Sequence, residues 1–230
     1  MSTLRTLGFA ICLTLLSPVS WAGRPFTTED AGVLAARDCE LEAFGARLGA
    51  RDEPLDRGGW GQLNCGVGIQ TQLAVGAGRF ESGDELRTIT AVAGKTALRP
   101  LTDDSVGVAL AYSLEGMRPS GRSMRHAGST ASLVISIPHG QTIVHGNLGI
   151  GRNHLESKTS GLYALAIERV GEQGVDVGVE IYGSSRESPW LGTGARYAIE
   201  ADKLWADFSF AAQTGGGDAR YLTVGLKYAF

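Results

Sequence analysis

From Cys39 to the C terminus the chain repeats one pattern, in which apolar side chains alternate with small or polar ones. The alternation is most regular from Gly174 to Tyr182, where one face carries valines and an isoleucine while the other carries Asp176 and Glu180. Successive side chains of a strand point to opposite faces, and a tilted strand of about ten residues crosses the hydrocarbon core of a bilayer. The pattern therefore predicts a series of membrane-crossing strands.

The alternation divides into twelve segments. We predict strands at 39–48, 59–68, 71–81, 86–98, 104–115, 128–138, 142–151, 161–170, 174–183, 191–199, 204–212 and 220–230. Connections at one end are short, whereas those at the other end, such as 49–58, 116–127 and 152–160, are longer and polar. This arrangement predicts an all-β fold, a transmembrane antiparallel up-and-down β-barrel of about 12 strands, located in the outer membrane with both termini in the periplasm.

A soluble sandwich of two packed sheets is the competing fold, because its strands also alternate. Its solvent-facing side would be rich in Lys, Glu and Thr. The less apolar face here is dominated instead by Gly, Ala and Ser, with isolated charged residues. Small side chains with scattered opposite charges suit the interior of a narrow barrel, where side chains must interlock. The composition therefore favours the barrel.

The N-terminal region has the pattern of an export signal. Arg5 is followed by a mostly apolar run from Leu7 to Leu16, and small residues stand at the usual cleavage spacing before Ala22. We predict a signal peptide at 1–22, a periplasmic N-terminal extension or small plug at 23–38, and the barrel at 39–230. Apart from this region, no apolar run is long enough for a membrane-spanning helix.

Cleavage leaves two cysteines, Cys39 and Cys65. The predicted strands place them on the same face of adjacent antiparallel strands, and the periplasm is oxidising. A shift of two residues in register would separate the sulfur atoms too far for a bond. A disulfide and two free thiols therefore both remain compatible with the sequence.

Polar residues on the less apolar face are predicted to point into the lumen. They are Glu40, Glu42, Asn64, Lys95, His145, Asn147, Asp176, Glu180, Arg196, Asp207 and Lys227. Together with Glu168 they either line a pore and set its selectivity, or form an internal network of salt bridges that stiffens the barrel. Pairing of the last strand with the first should place Lys227 near Glu40 or Glu42.

Catalysis and metal binding find little support in the sequence. His145 and Asn147 share a strand face, and a histidine near an asparagine and a serine can serve acyl transfer. A hydrogen-bonded pair inside the lumen is the simpler interpretation. The four histidines are spread over different strands and loops without metal-ligand spacing. We expect no enzyme activity, no cofactor and no metal.

Several features predict contacts with the membrane and its components. Arginines and a histidine between Glu115 and Gly128 are predicted to form a loop that either binds lipopolysaccharide phosphates or is simply solvated. Five aromatic residues are predicted to form two interfacial girdles. Trp60 and Trp190 would belong to the outer girdle, and Tyr197, Tyr228 and Phe230 to the inner one. The net charge of -3 and the lack of a basic stripe give no indication of nucleic-acid binding.

The segment Ala219–Phe230 resembles the closing strand of bacterial outer-membrane barrels. The resemblance implies that Tyr228 and Phe230 form part of the signal read by the barrel-assembly machinery. Arg24-Pro25-Phe26-Thr27-Thr28-Glu29-Asp30-Ala31-Gly32, Glu40-Leu41-Glu42, Leu63 to Gly78 and the strand from Val144 to Gly151 are similar to an outer-membrane family named for the MetA pathway of phenol degradation. That family implies a barrel with a transport role.

These observations lead to three functional hypotheses. The first is a transporter or narrow channel, for which the family resemblance implies small hydrophobic or aromatic solutes. The second is a structural or lipid-interacting barrel with a plugged lumen. The third is a barrel enzyme that acts on membrane lipid.

Overall fold

A computed structural model describes residues 25–50, 55–83, 85–171, 173–215 and 218–230. The predicted signal peptide lies outside the described residues. Twelve strands are present in this part of the chain, and each pairs antiparallel with its sequence neighbours. They are β1 Cys39–Gly49, β2 Asp56–Gly68, β3 Thr71–Ser82, β4 Glu85–Arg99, β5 Gly107–Pro119, β6 Arg125–His139, β7 Thr142–Asn153, β8 Lys158–Arg169, β9 Val175–Ser184, β10 Trp190–Glu200, β11 Leu204–Gln213 and β12 Arg220–Ala229.

The sheet closes because β1 pairs with β12. Leu41 lies opposite Tyr228 and Gly49 lies opposite Arg220. Cys39 and Phe230 extend the seam by exchanging two backbone hydrogen bonds of 2.9 Å. A closed sheet has no edge strand, so its backbone polar groups can be satisfied within a bilayer. The predicted barrel of twelve strands is confirmed, and we call its end at Cys39 and Phe230 the terminal rim and the opposite end the distal rim.

The outer surface of the barrel is apolar. On β9 the exposed side chains are valines, such as Val179 with 57% of its surface accessible, whereas Glu180 beside it is buried. Val224 and Leu226 of β12 are likewise exposed, with Thr223 buried between β12 and its neighbours. An apolar exterior around a polar interior is the arrangement expected of strands that face lipid. Among the described residues, no helix is long and apolar enough to cross a membrane.

Several strands extend further at the distal rim than the sequence predicted. The predicted loop 116–127 is largely strand, because β5 and β6 continue pairing to Met117 and Arg125, past a register shift at Glu115/Gly116. Similarly, β7 and β8 reduce the predicted loop 152–160 to 154–157. Backbone pairing continues there without apolar alternation, since ladder hydrogen bonds do not depend on side-chain hydrophobicity. The predicted contrast between long and short connections is therefore wrong at these positions.

The predicted outer girdle of tryptophans is also wrong. Trp60 and Trp190 are only 3% and 5% exposed, because each lies on the inward face of its strand. The error at Trp60 follows from the boundary of β2, which begins at Asp56 and so removes Trp60 from the strand end. In contrast, Tyr197, Tyr228 and Phe230 are exposed near the terminal rim.

The two cysteines are joined. Cys39 and Cys65 are directly opposite in the β1–β2 register, and their sulfur atoms form a disulfide. The bond lies at the terminal rim on the outward face, where Leu41 and Leu63 follow on the same face.

We expect the double substitution Cys39→Ser/Cys65→Ser to lower the free energy of unfolding by about 3 kcal/mol, because a cross-link limits the entropy of the unfolded chain. The cysteines are separated by 26 positions in sequence, which sets the size of the closed loop. Urea unfolding in lipid vesicles measures the change, and reduction of the unmodified protein should reproduce it. An unchanged unfolding midpoint in both cases would contradict the prediction.

Candidate functional site in the lumen

The polar residues predicted to face the lumen all lie on the inward faces of their strands. Side chains of Glu40, Glu42, Asn64, Lys95, His145, Glu180 and Asp207 are buried, and those of Asn147, Asp176, Arg196 and Lys227 are half-buried. They occupy the middle and the terminal half of the barrel, and most belong to two hydrogen-bonded networks.

One network joins β12, β1 and β2. Lys227 Nζ lies 2.7 Å from Glu40 Oε2, and the amide of Asn64 donates to the other oxygen of Glu40 at 3.1 Å. Gln62 donates to Glu42 at 2.8 Å and accepts a hydrogen bond from the Trp60 indole at 3.0 Å. The Lys227–Glu40 contact crosses the closing seam from inside, so it links barrel closure to the polar interior.

The second network runs from β6 to β10. Ser136 Oγ lies 2.8 Å from His145 Nδ1, and His145 Nε2 lies 3.3 Å from Glu168. Arg196 then contacts Glu168 at 3.3 Å and Asp176 at 2.7 Å. The order Ser–His–carboxylate matches that of hydrolase triads. Ser136 is 0% exposed, however, and its Oγ accepts a hydrogen bond of 2.8 Å from the Ala31 N–H.

Residues Pro25–Asp38, which we call the N-terminal segment, lie inside the barrel. Its first residues pack against β9 and β10, where the Phe26 ring would lie 2.5 Å from a Cβ placed on Gly178, and Pro25 would lie 2.9 Å from one on Gly194. Glycine at these two positions therefore makes room for the segment.

Glu180 anchors the start of the N-terminal segment. Its carboxylate accepts hydrogen bonds from the backbone N–H groups of Thr27 and Thr28 and from the Thr28 hydroxyl, all between 2.8 and 3.0 Å. Hydrogen bonds to an ionised acceptor are stronger than those between neutral groups.

The middle of the segment meets β4, β6 and β7. The Asn147 amide accepts from the Glu29 N–H at 2.7 Å and donates to the Glu29 carbonyl at 2.9 Å. Lys95 Nζ contacts the Glu29 carboxylate at 3.3 Å, the Asp30 carbonyl at 2.9 Å and the Asp30 carboxylate at 3.5 Å. Asn147 therefore bonds the segment rather than His145, contrary to the pairing suggested by the sequence.

The end of the segment reaches β2 and β3. Leu34 N–H donates to Gln72 at 3.0 Å, and the backbones of Arg37 and Asp38 pair with Gly66 at 3.0 and 2.9 Å. Strands β9 and β10 lie nearly opposite β2 and β3 in the closed order. The N-terminal segment consequently crosses the lumen from one wall to the other.

Two carboxylates of the segment share one ammonium group. Burial raises the pKa of Glu29 from 4.5 to about 7, and the attraction of Lys95 offsets only part of this rise. Burial acts in the same direction on Asp30, but the pKa of Asp30 lies below its ordinary value because Lys95 and further contacts outweigh it.

We expect the segment to be held less tightly as the pH rises from about 5 to about 8. A raised pKa means that the docked Glu29 keeps its proton more firmly than a solvated glutamate, so this stabilisation is complete below the ordinary pKa and is lost as the pH passes about 7. Channel current in planar bilayers should therefore increase with pH. Glu29→Gln should flatten this increase, and an equally steep dependence in that variant would contradict the assignment.

The distal half of the lumen contains two apolar clusters beside polar side chains such as Arg87 and Glu156. One cluster contains Trp60, Ile89, Ala91 and Met117, with Phe44, Phe80, Ala127 and Leu155 packed against it. The other contains Tyr182, Trp190, Ala211 and Ala219, with Leu48, Ala50, Ala164 and Tyr221 beside it. A cavity of about 110 Å³ borders Thr27, Glu29 and Lys95 on the segment's side and Leu162 and Tyr182 on the distal side.

Sequence reasoning missed the partners of the N-terminal segment. Glu29, Asp30, Gln72 and Ser136 were not predicted as site residues, yet each takes part in its docking. The polar run Thr27–Asp30 without alternation is the only signal that the sequence offered. Among the described residues, no group of three or more His, Cys, Asp or Glu could hold a metal ion.

Comparisons with known proteins identify the fold. The barrel superimposes on the KdgM porin in complex with disordered oligogalacturonate with a TM-score of 0.61 and 7% identity, over 83% of this chain and 99% of that one. An outer membrane channel from Pseudomonas putida F1 gives a TM-score of 0.59 and 10% identity, over 87% and 98%. The fold is that of an outer-membrane β-barrel. This agrees with the outer-membrane location predicted from the sequence.

Sequence comparisons do not refine this result. No protein-family model matches the chain, so the resemblance to the family of phenol degradation stays a prediction. No curated protein matches either. Outer membrane phospholipase A from Escherichia coli shares the fold with a TM-score of 0.53 and 9% identity, over 87% of this chain and 93% of that one. At this identity the fold alone is shared.

Proposed function

We propose that the protein is an outer-membrane channel for small hydrophobic or aromatic compounds, and that its N-terminal segment closes the lumen. The observation that carries the proposal is the change of character along the lumen. The distal half contains the two large apolar clusters together with the Arg87–Glu85 pair, whereas the N-terminal segment and most of the lumenal ion pairs lie nearer the terminal rim. A solute arriving from the distal rim would meet aromatic walls and then the segment.

The orientation of the barrel in the membrane follows from the position of its termini. Outer-membrane barrels keep their termini in the periplasm, so the distal rim faces the exterior. The distal half with its two apolar clusters then forms an external vestibule, and the N-terminal segment separates it from the periplasm.

The lining supports apolar solutes better than acidic sugars. Lys95, Arg196 and Lys227 each contact a carboxylate, and Arg87 lies 2.9 Å from Glu85. Their charges are therefore engaged in ion pairs within the protein. Binding sites for small apolar molecules combine hydrophobic and aromatic walls with a few polar groups, as the cavity beside Thr27 and Tyr182 does.

The Ser136–His145–Glu168 arrangement serves to hold the segment and not to catalyse in this proposal. Ser136 Oγ accepts a hydrogen bond from the Ala31 N–H and the residue is fully buried. No acyl group can therefore reach this oxygen while the segment is docked. The serine hydroxyl contributes a hydrogen-bond acceptor for the segment, and His145 and Glu168 orient it.

Uptake of an apolar dye into intact cells tests the proposal. Cells that contain the protein should take up N-phenylnaphthylamine faster than cells without it, while hydrolysis of the hydrophilic nitrocefin by periplasmic β-lactamase stays unchanged. Phe80→Asp, which places a charge in the apolar vestibule, should remove the advantage. Unchanged dye uptake by the folded protein would instead support the structural barrel with a plugged lumen, which the many bonds of the segment also favour.

A further inference from the structure

An arginine cluster lies on the outer surface of β1–β3 at the distal rim. Arg47, Arg57 and Arg79 are all exposed on the outward face, and Arg220 follows on the neighbouring β12. Arg57 forms a salt bridge of 3.0 Å with Glu81. Among the described residues of this surface, the Glu81 carboxylate lies beside Arg57 and leaves Arg47 and Arg79 in an excess of positive charge.

The register brings like charges together. Arg47 lies directly opposite Arg57, and Arg79 lies opposite Gly59, two residues along the same face from Arg57. Like charges that face each other across a strand pair are destabilising. An anion shared between the guanidinium groups would remove this repulsion, and guanidinium groups bind phosphate oxygens in a bidentate manner.

A hollow of about 590 Å³ adjoins the arginines. Its lining includes Gly45, Gly58, Leu86, Leu222 and Val224 together with the three arginines and Glu81, whose carboxylate is paired with Arg57. A Cβ placed on Gly45 would have no neighbour closer than 3.9 Å, so the missing side chain leaves open space. Since Gly45 is two residues closer to the membrane centre than Arg47, the hollow extends from the cationic cluster towards the hydrocarbon region.

We infer that this surface binds a phosphorylated, multiply acylated glycolipid of the outer leaflet, the lipid A class. Its phosphates lie on Arg47, Arg57 and Arg79, and one acyl chain occupies the hollow beside Gly45. In such a lipid the phosphate groups lie at the membrane surface, and the acyl chains lie directly beneath them. The arginines and the apolar hollow follow each other in the same order along the barrel axis. The sequence left two alternatives for Glu115–Gly128, lipopolysaccharide binding or a solvated loop, and Arg118 and Arg125 of that region lie on β5 and β6, away from this hollow.

Binding of purified lipids to the delipidated protein in detergent tests the inference by native mass spectrometry. The probes are diphosphoryl lipid A, monophosphoryl lipid A, phosphatidylglycerol and inorganic phosphate. Diphosphoryl lipid A should bind most tightly, and the triple variant Arg47→Gln/Arg57→Gln/Arg79→Gln should bind it at least about tenfold more weakly, because charge-assisted hydrogen bonds are lost. The matched control is Arg99→Gln/Arg169→Gln, which removes exposed arginines at the terminal rim and should leave the affinity unchanged.

Gly45→Leu provides a second, independent variant. It fills the hollow without touching the arginines, so it should weaken lipid A binding several-fold and keep heat-modifiable migration on a gel. The inference would be overturned if the triple arginine variant and Gly45→Leu both bound lipid A as tightly as the unmodified protein. It would also be overturned if the Arg99→Gln/Arg169→Gln control lost as much affinity as the triple variant. Displacement by inorganic phosphate would identify a free-phosphate site instead, and equal binding of phosphatidylglycerol would reduce the cluster to general attraction for anionic lipid.

Discussion

Deletion of residues 26–34 is expected to turn a nearly silent barrel into a persistent pore. Each 1.4 kcal/mol of docking free energy raises the ratio of closed to open molecules about tenfold. Removal of a well-anchored segment should therefore raise the mean current at least about tenfold. The segment contributes no strand, and the ladders of the closed sheet remain intact without it. Planar-bilayer recordings measure the current.

A variant with a Gly/Ser sequence of equal length at 26–34 is the matched control. It keeps the length of the segment but loses the contacts of Phe26, Thr28 and Glu29 with the wall. An open, noisy current in this control would show that anchoring, not bulk, closes the lumen. If the deleted protein folds but stays silent, the apolar clusters and not the segment form the barrier.

Replacement of Lys95 should also open the lumen strongly. Removing one partner of a buried ion pair costs about 3–5 kcal/mol, because the remaining charge is left without compensation. In Lys95→Met, Glu29 and Asp30 lose their shared cation, and the closed state should weaken by roughly two orders of magnitude or more at a pH where both are ionised. Single-channel open probability measures this change.

Two further variants separate this explanation from general damage. Lys95→Met/Glu29→Gln/Asp30→Asn should restore closure, since neutral side chains no longer require the cation. Lys227→Met also removes a lumenal lysine, but its salt bridge is with Glu40 of β1 and it attracts Asp30 less strongly than Lys95 does, so current should rise much less. Equal opening in Lys227→Met, or no rescue in the triple variant, would contradict a specific role for Lys95.

The sequence was sufficient to predict the barrel because each strand carries its own alternation. From Val175 to Ile181 one strand face is apolar, and this is visible without knowing the neighbouring strands. The less apolar face of the strands is rich in Gly, Ala and Ser, which suits a tight barrel interior. The pairing of the last strand with the first, from Cys39 to Leu48, was predicted by counting back from the last strand to an even set of such strands. The alternation of side chains within a strand and the number of such strands can both be obtained from a single sequence.

The contacts of the N-terminal segment could not be predicted in the same way. Thr28 and Glu180 are 152 positions apart, and Glu29 and Asn147 are 118 apart, so only the assembled barrel brings them together. The predicted position of Trp60 was wrong for a related reason. A tryptophan near a predicted strand end suggests an interface, yet a shift of the boundary to Asp56 places it in the wall of the lumen.

The separations along the chain also imply an order of assembly. Hairpins between neighbouring strands form from nearby residues, whereas the segment can dock only on walls built from β2 to β10, and contacts between distant residues form late. Each newly inserted molecule should therefore pass through a hollow intermediate before its own N terminus fills it. In a growing cell, the rate at which the protein is synthesised, more than the amount accumulated, would then determine how permeable the envelope is to toxic solutes.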